Sequence, residues 1–165
     1  MNTAAATARD EEIGKAGAAE AADALARLLR STVALQGVDV GELTSLPLPP
    51  GSSVVGSFVA SGGVQGNLAI VVDDSLGLVI ANKLLGTGAL DAGAIAALAE
   101  VGNILASAFL NGAARLCGRA CLPSVPHMSH GPLSSLLPQL LGDGRVVQAR
   151  IVVDGQLLFL LWRQR

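Results

Sequence analysis

The alternation of apolar and polar positions is clearest between Ala94 and Cys117, where it has the period of an α-helix. At 3.6 residues per turn, one broad face of this stretch collects the large apolar residues Ile95, Leu98, Val101, Leu105, Phe109 and Leu116. The opposite face carries a narrow polar stripe: Glu100, Asn103, Ser107 and Asn111. The small residues around the stripe are Ala96, Gly112 and Ala114. A solvated helix face usually carries more charged side chains, so this smooth surface indicates contact with a partner.

A second, alanine-rich helix is predicted from Asp10, with Gly37 ending it. Acidic residues occupy its first turn and arginines lie near its end, and both placements suit the helix dipole. We expect residues 1–9 to form a flexible tail and residues 10–165 to form a single domain.

Two pairs of apolar runs predict β-hairpins. Val54–Ser61 and Val64–Val72 flank Gly62-Gly63, and Val146–Val153 and Gln156–Trp162 flank Asp154-Gly155. Shorter predicted elements are a weak strand at Val38–Leu48, a helix at Leu76–Leu85, a strand at Ala120–Val125, a turn at His127–Pro132 and a short leucine-rich helix or turn at Leu133–Leu141.

The order of helix, strand, hairpin and helix occurs twice. In the second copy the short helix comes before the hairpin instead of after it. When the first long helix is aligned on the second, Glu12 falls on Glu100 and Lys15 falls on Asn103. The sequence therefore predicts two related halves, at about residues 10–88 and 89–165. The expected fold is α+β, with a pseudo-twofold axis and two long helices packed side by side on an antiparallel sheet.

The amino-acid composition excludes several classes of function. Hydrophobic residues make up 51% of the chain and charged residues 15%, which indicates a folded core. A net charge of −2 and an aromatic content of 2% argue against binding of nucleic acid. We find no apolar run of membrane-spanning length and no signal-peptide pattern, so we expect a cytoplasmic protein with no membrane contact.

Two cysteines and two histidines form a C-x3-C-x5-H-x2-H pattern: Cys117, Cys121, His127 and His130. A zinc site would require a helix end, a strand and a loop to converge at an unusual spacing. We therefore expect no metal site, with reduced cysteines packed as small apolar side chains and histidines in a loop.

The segment Glu100-Val-Gly-Asn103, followed by Pro126, resembles the signature of the CheC/CheX/FliY phosphatases of bacterial chemotaxis. That signature is a helix with Glu, two residues and Asn, then a proline a little over twenty residues later. The continuation NILASAFLNGAARLCG resembles the second such helix of CheC, and E-I-G-K-x-G resembles the first, with Lys15 replacing asparagine. The resemblance implies a CheC-like phosphatase that hydrolyses the phospho-aspartate of a response-regulator receiver similar to CheY.

The resemblance also implies roles for individual residues. Asn103 would orient the attacking water, and Glu100 would pair with a lysine of the receiver. Apart from the resemblance, Ser107 and Asn111 lie on the same stripe. They are candidate partner contacts, and the alternative is that they are ordinary solvated polar positions. No cofactor of its own is implied, since Mg²⁺ is expected in the receiver.

Two positions depart from the family pattern. Lys15 lacks the acceptor that the asparagine provides, so Glu12 and Lys15 are expected to form a degenerate first site. Ala96 stands where family members usually have Asp or Ser, four residues before Glu100.

An alternative function belongs to a different class. The middle domain of the flagellar switch protein FliM has the same architecture, so the chain could be a non-catalytic module that binds a receiver or a switch protein. The cognate receiver, a homodimer through sheet edges and binding of a CheD-like deamidase stay open from sequence.

Overall fold

The computed structural model describes residues 3–165, which form four α-helices and one seven-stranded antiparallel sheet. The helices are α1 (Thr3–Leu29), α2 (Asp74–Leu85), α3 (Ala92–Cys117) and α4 (Leu133–Leu141). The strands are β1 (Val33–Glu42), β2 (Ser52–Gly62), β3 (Gly66–Asp73), β4 (Cys121–Pro123), β5 (His127–Pro132), β6 (Arg145–Val153) and β7 (Gln156–Gln164).

The strand order shows the pseudo-twofold arrangement directly. It runs β1-β6-β7-β3-β2-β4, and β5 also pairs with β2. The two hairpins, β2–β3 and β6–β7, meet at the centre, where β3 pairs with β7. The remaining strands cross over: β1 pairs with the second hairpin, and β4 and β5 pair with the first. The predicted α+β fold is confirmed, while the boundary between the halves near residue 88 stays a prediction.

The two long helices lie side by side on one face of the sheet. Their approach is too close for a side chain at two positions. A Cβ atom on Gly112 would lie 2.5 Å from the carbonyl oxygen of Ala16, and one on Gly17 would lie 2.5 Å from the ring of Phe109. Gly112 is therefore buried at the contact with α1. The prediction that it borders the exposed stripe is wrong.

The sheet separates two apolar clusters. The larger one fills the space between the sheet and the helices α1 and α3, where the rings of Phe109 and Trp162 lie 5.6 Å apart between centroids. The smaller cluster lies on the other face under α4 and includes Leu137, Val55 and Phe159. Because aromatic residues are few, alanine, leucine, valine and isoleucine provide most of both clusters.

Several predicted elements are confirmed, although most of their ends differ by a few residues. Both hairpins form, and the segment predicted as a short helix or turn is the helix α4. Asp73 caps α2 by accepting a hydrogen bond from the Leu76 amide at 2.8 Å, and Asp91 caps α3 through the Ala94 amide at 2.9 Å. Gly86 and Gly118 end these helices in the left-handed conformation.

The predicted start and end of the first helix are wrong. Among the described residues the helix already runs from Thr3, because the alanine-rich segment before Asp10 is part of it. Residues 1 and 2 of the predicted tail lie outside the described residues. It ends at Leu29, and Gly37 lies within β1 at a shift of the strand register. Strand pairing of Val33–Leu35 with β6 overrides the local helical preference.

A second correction concerns His127–Pro132, which was predicted as a turn. This segment is the strand β5, which pairs with residues 52–57 of β2 along the edge of the sheet. Its turn-forming residues are tolerated there because an edge strand leaves one side of its backbone without a strand partner.

One helix of the described residues, α3, is long and apolar enough by length and composition to cross a membrane, with a mean hydropathy of 1.6. Core helices of soluble proteins meet the same criterion. In this fold the apolar face of α3 packs on the sheet and on α1.

Replacement of Gly112 tests the close approach of the helices. We expect Gly112→Ala to lower the free energy of unfolding by about 1–3 kcal/mol, because the new methyl group meets backbone atoms of α1. This is the net change: the steric cost exceeds the gain in helix propensity, which is about 1 kcal/mol. Urea denaturation measures the change.

The matched control is Gly88→Ala, since a Cβ atom there meets no atom within 4 Å. Its free energy of unfolding should stay within about 0.5 kcal/mol of that of the unsubstituted protein. Equal stability of the two variants would contradict the proposed packing constraint.

Candidate functional site

The polar stripe of α3 lies on the outer surface of the protein. Glu100, Asn103 and Asn111 are exposed and Ser107 is half-buried, while Ala96 is exposed at the start of the stripe. The opposite face is buried, as the sequence predicted, at Leu98, Val101, Leu105 and Phe109. Two predicted core positions differ: Ile95 is half-buried, and Leu116 is 50% exposed near the end of the helix.

Two side-chain contacts show which way the stripe faces. Arg115 forms an ion pair with Glu20 at 2.9 Å, which marks the side of α3 next to α1. Cys117 contacts Cys121 and marks the side next to β4. At about 100° per residue, Asn103 lies about 60° from Glu100 toward the β4 side. The carboxylate therefore points outward, and the amide leans toward the strand edge.

Among the described residues, no other side chain binds the polar groups of the stripe. Within residues 3–165, none of the four stripe side chains makes a hydrogen bond or an ion pair. The backbone that carries them is held firmly, because neighbouring residues of α3 are buried and Gly102 packs close to the ring of Phe58. A carboxylate and an amide, about one turn apart on a rigid helix, are thus available to a partner.

The corresponding residues of α1 are also at the surface but differ in chemistry. Glu12 and Lys15 are both exposed. The Lys15 ammonium pairs with Glu11, one turn earlier, at 2.7 Å. The first helix therefore presents an ion pair between its own side chains where α3 presents a free amide.

The cysteine and histidine pattern does not come together in space. The sulfur atoms of Cys117 and Cys121 are 3.8 Å apart, but His130 on β5 binds Asp74 at 2.8 Å. In the part of the chain that the structure describes, no three side chains of His, Cys, Asp or Glu are grouped as metal ligands.

A groove that the sequence did not predict lies on the other face of the sheet. It has a volume of about 720 Å³ and lies between the proline-rich segment 46–51 and α4. Leucines and prolines form most of its wall, and Glu42 and Asp143 are its charged residues. The proline-rich segment and the leucine-rich helix were visible in the sequence, but their meeting across the sheet depends on tertiary structure.

No protein-family model and no curated protein matches the sequence. Solved structures do match the fold. FliY from Thermotoga maritima is 20% identical with a TM-score of 0.74, over 98% of this chain and 91% of FliY. CheX from Borrelia burgdorferi, in a complex with CheY, BeF3 and Mg²⁺, is 20% identical with a TM-score of 0.64, over 92% and 96% of the two chains. The FliM middle domain of Vibrio alginolyticus is 16% identical with a TM-score of 0.60, over 93% and 92%.

These matches span nearly the whole of this chain and of each neighbour. The chain therefore has the fold of the CheC/CheX/FliY proteins, as the residues of its two long helices indicated. At these identities the match concerns the fold, and the chemistry depends on the residues that the fold presents.

The exposed positions of Glu100 and Asn103 predict that neither side chain supports the fold. We expect the free energies of unfolding of Glu100→Gln and Asn103→Ala to lie within about 0.5 kcal/mol of that of the unsubstituted protein. Neither side chain has a partner to lose. Urea denaturation measures this, and Gly112→Ala is the destabilised reference. A loss above about 1 kcal/mol in either variant would contradict a purely functional role.

Proposed function

We propose that the chain is a phosphatase that hydrolyses the phospho-aspartate of a CheY-like receiver, and that α3 is its working surface. The observation that carries this proposal is the pair of exposed, unpartnered side chains, Glu100 and Asn103, on the long helix of a CheC/CheX/FliY fold. A fold neighbour, the CheX of Borrelia burgdorferi, forms a complex with CheY, BeF3 and Mg²⁺, which supports a receiver as the partner.

Asn103 suits the role of positioning a water molecule. In the reaction, the water oxygen attacks phosphorus, the bond between phosphorus and the aspartate oxygen breaks, and the products are a carboxylate and inorganic phosphate. Phosphoryl transfer responds mainly to positioning and electrostatics. An amide offers a donor and an acceptor together and does not titrate, so it can hold the water in line at any physiological pH. The receiver supplies the Mg²⁺.

Glu100 suits a docking role next to that amide. Its carboxylate is exposed and can pair with a lysine at the receiver's active site, which brings Asn103 to the phosphoryl group. Ala96 and Ala99 add little bulk along the same side of α3, so the helix can come close to the receiver. Ser107 and Asn111 extend the contact along the stripe.

The first helix lacks this chemistry. Lys15 offers donors but no acceptor, and its ammonium pairs with Glu11. An ammonium group would also lie near the lysine and the Mg²⁺ of a receiver, where like charges repel. We expect one working site per chain, on α3.

A second candidate is a non-catalytic module that binds a receiver or a flagellar-switch protein through the same helix. The FliM middle domain shares the fold over nearly its full length, which favours this candidate. Ala96 also favours the non-catalytic module, because it stands where the family usually has Asp or Ser. The two candidates agree on the surface and differ in whether Asn103 acts on the phosphoryl group.

Replacement of Asn103 separates chemistry from binding. With a phosphorylated CheY-like receiver and Mg²⁺, the protein should accelerate phosphate release, and Asn103→Ala should reduce that acceleration at least about 100-fold. The matched control is Lys15→Ala, which should leave the rate unchanged. No acceleration by the unsubstituted protein, together with intact binding, would favour the non-catalytic module. Loss of activity in Lys15→Ala alone would reverse the assignment of the two sites.

Replacement of Glu100 tests docking. Glu100→Gln keeps the shape of the side chain but removes its charge, so the Kd for a receiver loaded with BeF3 and Mg²⁺ should rise about tenfold. The affinity should also depend less on salt than that of the unsubstituted protein. Titration calorimetry at two ionic strengths measures both effects. An unchanged Kd would contradict the docking role.

A further inference from the structure

The cysteine pair lies at the junction between α3 and the edge of the sheet. Cys117 is the last residue of α3 and Cys121 is the first residue of β4. Between them, Gly118 adopts a left-handed conformation with φ of 68°, which reverses the chain direction. This turn brings the two sulfur atoms to 3.8 Å, although three residues separate the cysteines.

The backbone around the two cysteines keeps their thiols close together. The Cys117 thiol donates to the carbonyl oxygen of Arg119 at 3.3 Å, and the Cys121 thiol points to the same oxygen at 3.5 Å. The turn between β2 and β3 closes the third side, since a Cβ atom on Gly63 would lie 2.5 Å from the Cys117 sulfur. The Gly63 amide also donates to the carbonyl oxygen of Ala120 at 2.9 Å, which fixes the turn against the pair.

We propose that Cys117 and Cys121 form a reversible intramolecular disulfide when the protein meets a peroxide. A disulfide bond is about 2.05 Å long, so the sulfur atoms must come closer by about 1.8 Å. Rotation about the Cα–Cβ bonds moves a sulfur atom by such a distance, and the shared carbonyl contact already turns both thiols toward each other.

The two thiols have different roles in this reaction because they differ in accessibility. Cys117 is half-buried, whereas Cys121 is 5% exposed. Peroxide therefore reaches Cys117 first. The Cys117 thiol loses its proton, the thiolate attacks one peroxide oxygen, and the O–O bond breaks. The leaving hydroxide takes up the proton as water, and Cys117 becomes a sulfenic acid. The Cys121 sulfur then attacks the sulfenic sulfur and displaces a second water. In balance, two thiols and one peroxide give one disulfide and two waters.

Burial raises the pKa of the Cys121 thiol, and the neighbouring Cys117 raises it further, while the backbone amides of Val64 and Gly63 act in the opposite direction. Since the thiolate is the attacking form, the second step should become faster as the pH rises toward that pKa. The disulfide would tie the end of α3, the helix that carries the stripe, to the edge strand β4.

The test uses the full chain. After treatment with a small excess of hydrogen peroxide at mildly alkaline pH, we expect loss of both free thiols, an intact monomer mass lower by two hydrogen atoms, and a peptide that links residues 117 and 121. Dithiothreitol should restore both thiols. The rate of linkage should not depend on protein concentration, because the bond is intramolecular.

Single variants test the order of the steps. In Cys121→Ser, the sulfenic acid at Cys117 has no resolving thiol, so dimedone should label it, whereas the unsubstituted protein should be labelled much less. Cys117→Ser is the matched variant and should be labelled slowly, because Cys121 is buried. The mass measurement on the unsubstituted protein does not depend on either variant folding.

Several results would overturn the proposal. These are retention of both thiols after treatment, sulfinic acid as the main product, or disulfides that link two chains. Equal dimedone labelling of the unsubstituted protein and of Cys121→Ser would do the same, because Cys121 would then not resolve the sulfenic acid.

Discussion

The close packing of α1 against α3 is the contact on which the rest of the structure depends. At Gly17 and Gly112 there is no room for a side chain, since Phe109 fills one position and the backbone of Ala16 fills the other. This approach lets two alanine-rich helices exclude water with small side chains, in a chain that has few aromatic residues. It also sets the rotation of α3 about its axis. One face of that helix is buried, so the face with Glu100 and Asn103 must point outward.

The sheet reinforces this arrangement by exchanging strands between its halves. β1 pairs with the second hairpin, and β4 and β5 pair with the first, so neither half can close its own part of the sheet. Both long helices therefore rest on strands of both halves. A rigid base of this kind suits the proposed role of Asn103, because a side chain that orients a water molecule must be held to a fraction of an ångström.

The two long helices occupy related positions in the sheet arrangement but present different side chains. α3 presents a free amide at Asn103, whereas α1 presents Lys15 in an ion pair with Glu11. The fold holds both surfaces equally well, so the proposed difference in activity rests on side chains alone. This is why matches to FliY, CheX and FliM, which share the fold, leave the chemistry to be decided by particular residues.

Local signals in the sequence determined most of the elements. The helical period of residues 94–117 and the Asp-Gly turn each act within a few residues, and the structure has them where they were predicted. The exposed stripe could be predicted for the same reason, since burial of one face of a helix exposes the other. Features that depend on distant residues could not be predicted. Pairing with β6 turned Val33–Leu35 into a strand, and contact with Ala16 made Gly112 a buried position. Only the tertiary structure decided these, because each depends on atoms far away along the chain.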